Sequence, residues 1–193
     1  MRADHRPYWV MRLCKAYNQI IIDRYLRPKF DRIGKHLEVM QPRNVCVSGH
    51  NIHAGNFLHL VAAADKRINL STWSDARLQG VIDIGHYCQI SPGVNISAAE
   101  HITIGNNCMF AADCYISDCD WHGLYNRIRP FRCTKPITIG NNVWVGHGAK
   151  IGKGITVGEN SVVAAGSVVT KNIPPYEIHG GAPAKLLRRR FES

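Results

Sequence analysis

The residues with the greatest chemical capacity crowd one stretch, Asp118-Cys119-Asp120-Trp121-His122-Gly123-Leu124-Tyr125-Asn126-Arg127, followed by Arg129, Arg132 and Lys135. An imidazole takes up and returns protons near neutral pH, and a carboxylate accepting its ring N–H fixes the tautomer and aims the other nitrogen. His122 is therefore the candidate general base. Asp118 and Asp120 are alternative partners for it that spacing alone does not rank. Further cations stand near the C-terminus at Lys171, Lys185 and Arg188. They suit an anionic ligand such as a phosphate, and they suit a solvated surface equally well.

The scaffold for this stretch is legible in a period of six. Aliphatic residues recur at Ile139, Val145, Ile151, Val157, Val163 and Val169, with Gly directly after the first four. A small or branched residue follows four positions after each: Val143, Ala149, Ile155, Ser161, Ser167 and Ile173. The same phase appears earlier at Ile84, Ile90, Ile96 and Ile102, and at Ile104, Phe110 and Ile116. A helical period of 3.6 cannot give a strict six, and strand alternation does not place Gly at a fixed offset. A coil of three short strands does both, with Gly or Asn taking a tight corner, often at positive φ. Stacked coils then bury a continuous aliphatic column. Cys88, Cys108 and Cys114 fall on the small inward position and read as core fillers, with Cys88 and Cys108 stacked on one face. His101 reads as finishing a corner or as supporting His122 from about one coil away.

The period breaks once. Ile116 to Ile139 spans 23 residues where one hexad takes six, so a loop of about 17 residues bulges from the solenoid around 118–136. The His-bearing stretch lies in that loop.

The stretch Ile139-Gly-Asn-Asn-Val-Trp-Val-Gly-His-Gly-Ala149, with Val163-Ala-Ala-Gly-Ser-Val-Val-Thr-Lys171, Ile173-Pro-Pro175 and Gly181-Ala-Pro-Ala-Lys185, resembles the hexapeptide-repeat acyltransferases. The resemblance covers roughly 80–190 and extends to galactoside, maltose and xenobiotic acetyltransferases. The Ser-Asp-Cys-Asp-Trp-His run looks most like the branch that acetylates lipopolysaccharide or capsule sugars. It implies a left-handed parallel β-helix that transfers an acyl group directly from acetyl-CoA, or a similar acyl-CoA, to a saccharide or lipid-linked saccharide. No metal is implied. The resemblance gives His122 the role of base and places Trp144 at the reactive end. The backbone N–H of His147 becomes the oxyanion donor, Gly146 and Ala165 line the pantetheine arm, and Lys171, Lys185 and Arg188 hold phosphates. A homotrimer with sites between neighbours is implied as well. One departure stands out: Gly123 follows the His where the galactoside and maltose enzymes usually carry Pro.

The chain has 193 residues and a net charge of +10, concentrated as +6 over residues 1–43 and +3 over 185–193. Charge confined to the ends argues against a nucleic-acid partner, which favours a basic surface interleaved with aromatics. Seven Cys without a CxxC pair disfavour a zinc ribbon or a disulfide framework. No signal-like or membrane-spanning segment is read, so the expected location is the cytoplasm. The expected division is a helical segment over 1–43, the β-helix over 44–175 with irregular first coils to about residue 80, and a basic tail over 176–193. Residues 7–29 pattern as an amphipathic helix, with Trp9, Leu13, Tyr17 and Ile20 on one face. It either caps the solenoid or lies at the inner membrane surface as a peripheral contact. A zinc hydratase on the same fold needs His pairs five apart, which His122 lacks. The non-enzymatic alternative is a sugar-binding or structural solenoid.

Overall fold

The computed structural model describes residues 7–74, 78–122 and 133–189. Three-stranded coils follow one another as β1 (Arg32–Ile33), β2 (Glu38–Met40) and β3 (Val45–Ser48), then β4 (Ile52–Ala54), β5 (His59–Val61) and β6 (Ile68–Thr72). Next come β7 (Val81–Ile84), β8 (Gln89–Ile90) and β9 (Asn95–Ala98), then β10 (His101–Ile104), β11 (Met109–Phe110) and β12 (Tyr115–Ser117). The last two coils are β13 (Ile137–Ile139), β14 (Trp144–Val145) and β15 (Lys150–Ile151), then β16 (Thr156–Val157), β17 (Val162–Val163) and β18 (Val168–Val169). The first, second and third strands of each coil line up in three parallel sheets, here sheets one, two and three. This is the left-handed parallel β-helix, a three-sided prism.

Register, and not strand length, makes these short strands stable. In sheet one Ile52, Ile82, Ile102 and Ile137 stand directly above one another. Sheet three stacks Leu70, Ile96, Ile116, Ile151 and Val169 in the same way. All of these are buried. Each such side chain contributes about 1.5–3 kcal/mol of burial, on top of about 0.5–1.5 kcal/mol for each backbone hydrogen bond. Cys88 and Cys108 stack within this core, their thiols reaching Gly105 O at 3.2 Å and Gly140 O at 3.1 Å. Burial pushes the Cys114 thiol up to about 11, which suits an inert filler.

At the corner between sheets one and two, Asn and not the Gly takes the positive φ in the later coils. Positive φ falls two residues after the Gly, at Asn107 (57°), Asn142 (55°) and Asn160 (59°). The Gly is needed because the next coil's backbone passes against it. A Cβ on Gly105 would lie 2.7 Å from Asn141 Oδ1 and 2.8 Å from Gly140 C. In the first three coils the left-handed positions carry rings: His36 stacks on Phe57 at 4.5 Å and Phe57 on Tyr87 at 4.7 Å. Later coils exchange amide hydrogen bonds there, from Asn107 to Asn142 (3.0 Å) and from Asn142 to Asn160 (2.8 Å).

The domain boundaries also shift. The first coil begins at Arg32, inside the segment expected to be helical, and four regular strands follow between Val45 and Thr72. The expected tail over 176–193 contributes β19 (Glu177–Gly180), parallel to β17, and β20 (Lys185–Arg189), antiparallel to β19. Helix α1 (Tyr8–Ile21) buries none of its residues, and Trp9, Leu13, Tyr17 and Ile20 face solvent. The cap on the N-terminal end comes from Ile22, Leu26 and Phe30 just beyond it, which join the core. Among the described residues no helix is long and apolar enough to cross a membrane.

Gly105→Ala should lower unfolding free energy by about 2 kcal/mol through overpacking. Gly152→Ala, where nothing lies within 4 Å of an added Cβ, should stay within about 0.5 kcal/mol of wild type in the same urea titration.

Candidate active site

The chain leaves sheet three at β12 through a short antiparallel neck. Lys135 N–H donates to Asp118 O at 3.0 Å and Asp120 N–H to Cys133 O at 3.2 Å, with Cys119 bridged to Thr134. Loop residues 123–132, including Arg127, Arg129 and Arg132, lie outside the described residues. The neck holds His122 at the prism edge between sheets three and one. There it is exposed, and its backbone N–H donates to Asp120 O at 2.6 Å.

The two carboxylates have distinct surroundings. Asp118 is fully buried, and its oxygens accept from Ala99 N–H (2.7 Å) and Glu100 N–H (2.9 Å). It fastens the neck to the turn of the preceding coil. Burial pushes its carboxyl above the ordinary value, against the opposing pull of those backbone donors. Asp120 is exposed and ion-paired with Lys153, whose ammonium also donates to Cys133 O at 3.1 Å. Lys153 was not singled out by sequence. Only coil stacking sets it one turn along the same edge.

Beside His122 stands a polar–aromatic wall that the periodicity also did not reveal. Trp121, held at φ 60°, meets Trp73 edge-on with ring centroids 5.4 Å apart. Trp73 Nε1–H donates to Ser97 Oγ at 3.1 Å, and Ser71 and Ser97 hydroxyls join at 3.2 Å. Ser71 and Ser97 pair in adjacent strands of sheet three, which fixes the wall to the scaffold.

The remaining expected residues sit elsewhere on the prism. Trp144 is half exposed on the outer face of sheet two, and Gly146 and His147 form the corner between sheets two and three. Among the described residues the backbone N–H of His147 has no hydrogen-bond partner, while its carbonyl accepts from Gly166 N–H at 2.7 Å. The imidazole of His147 lies 3.7 Å from Asp113, which is held by Lys66 at 2.5 Å. A Cβ on Gly146 would meet Ala165 N at 2.6 Å, so Gly146 and Ala165 are stacked along that corner. Lys171 is exposed on the corner after β18, and Lys185 and Arg188 lie on β20, opposite Gly180 and Ile178. The expected residues thus fall on two edges of the chain's prism, with sheet three between His122 and His147.

His101 is committed to a separate cluster on the outer face of sheet one. Its Nε2 lies 2.7 Å from Asp83, whose other oxygen is 2.8 Å from His53 Nδ1. Burial opposes ionisation of Asp83, but the two imidazole hydrogen bonds outweigh it and hold the carboxyl below the usual range.

Comparison with known proteins places the repeat. Residues 136–171 match the model of the bacterial transferase hexapeptide (six repeats). A probable macrolide acetyltransferase of Lysinibacillus sphaericus is 33% identical over 110 residues, covering 56% of this chain and 59% of that protein. The galactoside O-acetyltransferase of Escherichia coli K12 is 42% identical over 89 residues, covering 45% and 43%. The chain therefore spans about half the length of the curated relatives it matches. The N-acyltransferase AntD from Bacillus cereus, solved with dTDP and 3-hydroxybutyryl-CoA, superposes with a TM-score of 0.64 at 17% identity, covering 87% of each chain. That likeness shows a shared fold. Over residues 136–171 the repeat first read from the period of six thus matches the bacterial transferase hexapeptide, within a left-handed β-helix.

Asp118→Ala should cost about 2–3 kcal/mol, because two backbone donors lose their buried acceptor. Asp120→Ala, at an exposed pair, should cost at most about 1 kcal/mol, both read by urea unfolding.

Proposed function

We propose that this protein moves an acyl group from an acyl-CoA, acetyl-CoA in the simplest case, onto a hydroxyl or amino group of a saccharide or lipid-linked saccharide. The observation that carries this reading is a pair of half-sites on a hexapeptide-transferase scaffold. One edge offers an exposed imidazole beside an aromatic wall, and the other a backbone N–H, unpaired among the described residues, above small residues.

The chemistry follows from those parts. His122 takes the proton of the acceptor O–H or N–H as that atom attacks the thioester carbonyl. The developing oxyanion lies against the N–H of His147, a donor that needs no rearrangement. The tetrahedral intermediate collapses, the C–S bond breaks, and the imidazolium returns its proton to the departing thiolate. Trp144 borders this reaction centre. Gly146 and Ala165 leave room for the pantetheine arm, while Lys171, Lys185 and Arg188 supply charge for the phosphates. The indoles of Trp73 and Trp121 offer the acceptor an apolar face rimmed by serine hydroxyls.

A complete site on this reading takes His122 from one protomer and the His147 edge from its neighbour, which suits a closed homotrimer. The same reading places the enzyme in the cytoplasm. Trp9, Leu13, Tyr17 and Ile20, flanked by Arg12 and Lys15, suit peripheral contact with an anionic membrane.

Calorimetry with acetyl-CoA should show micromolar binding to wild type and to His122→Ala alike. Thiol release in the presence of a saccharide acceptor panel should fall about 10²–10⁴-fold in the variant. Absence of acetyl-CoA binding in both would leave a sugar-binding solenoid as the better reading. Light scattering should give three times the 21.6 kDa chain mass. A monomer at micromolar concentration would remove the shared site.

A further inference from the structure

The neck that carries His122 contains a feature that acyl transfer does not use. Cys119 Sγ and Cys133 Sγ lie 3.3 Å apart, on the two strands of the neck. Both thiols are nearly buried, at 6% and 5% exposure, in a small cluster with Ala99 and Trp121, separate from the main core. This pair differs from Cys88, Cys108 and Cys114, whose thiols all donate to the carbonyls of the next coil. The Cys119 sulfur also accepts. The backbone N–H of Trp121 points at its sulfur from 3.3 Å, and Cys133 is the second hydrogen-bonding neighbour of that sulfur. A backbone donor on its sulfur and a thiol in contact single out Cys119 as the attacking partner. Lys153 adds a cation at the same place through its bond to Cys133 O.

We infer that Cys119 and Cys133 form a thiol–disulfide couple, a modification site that takes small disulfides such as oxidised glutathione and ties the base of the His122 loop. The Cys119 thiolate attacks one sulfur of oxidised glutathione, forming a mixed disulfide and releasing one glutathione thiolate. The Cys133 thiolate then attacks Cys119 sulfur, closes the protein disulfide and expels the second glutathione. Two protein S–H bonds are lost and two glutathione thiols gained, so electrons and protons balance. Closing the bond brings the sulfurs from 3.3 Å to about 2.05 Å. The antiparallel neck already fixes the strands, so this movement is shared between two side chains. Opening by a reducing thiol reverses every step.

The inference does not depend on acyl transfer, and its test reads thiols. Full-length protein is equilibrated with glutathione buffers of rising oxidised fraction, alkylated in denaturant, and digested for mass analysis. We expect one internal cross-link, Cys119–Cys133, to appear with a mass loss of two hydrogens and to vanish on reduction. Cys119→Ser and Cys133→Ser should each lose it and stop at one bound glutathione on the remaining cysteine. Amides of Asp120 and Lys135 should exchange about tenfold more slowly in the oxidised wild type. Both thiols alkylatable at excess oxidised glutathione, a glutathione on each, or a cross-link from either cysteine to a third would overturn the inference. Should one serine variant not fold, the other and the wild-type mass map decide alone.

Discussion

Parallel hydrogen bonding between stacked coils sets the position of every other group in the protein. The bonds repeat at the same place in successive turns: Gly55 N–H to Ile84 O, Gly85 N–H to Ile104 O, Gly105 N–H to Ile139 O, at 2.8–2.9 Å. Because side chains alternate across a strand, a slip of one residue would turn the whole aliphatic column outward. Two-residue strands supply few bonds against such a slip. The corners supply the rest, by admitting only Gly where the next backbone passes and by stacking rings or amides at the left-handed position. Ser71 and Ser97 inherit this precision, since they are paired across adjacent strands of sheet three.

The period of six made the fold legible because it is a consequence of geometry that few architectures share. It faded over residues 32–72 for two physical reasons. Phe57, and later Tyr87, occupy corner positions where Asn or Gly was expected, their positive φ offset by ring stacking. Between β5 and β6 the chain also inserts a turn around Ala63 and Lys66 that shifts the spacing. At the site, sequence marked His122 and the neighbouring carboxylates but could not show which way each points. Asp118 is two residues from Asp120, so a strand-like neck would be expected to turn both the same way. The buried Ala99–Glu100 turn, distant in sequence, claims Asp118 and leaves Asp120 to Lys153. The Trp73–Ser97 wall was invisible for the same reason: its members meet only through stacking of sheet three.

A rigid prism also divides labour among its edges. Corners inside the repeat hold the backbone close to its neighbours, which suits small residues and exposed N–H groups. The single long excursion breaks no ladder, because its two ends pair with each other and rejoin the next coil in register. Asp118, Asp120, Trp121 and His122 accordingly gather where the repeat is interrupted.

A stack of similar coils has no built-in length, and an uncovered last coil would invite another molecule to continue it into a filament. Both ends of this protein are shaped against that. Ile22, Leu26 and Phe30 fill the opening of the first coil. At the other end β20 reverses direction at the edge of sheet two, and its five exposed residues include Lys185, Arg188 and Arg189, the last paired with Glu177. A second molecule arriving in parallel would meet the wrong strand polarity and a row of like charge at once. Lys185 and Arg188, proposed above to hold a phosphate, thus also edge the outermost strand of sheet two.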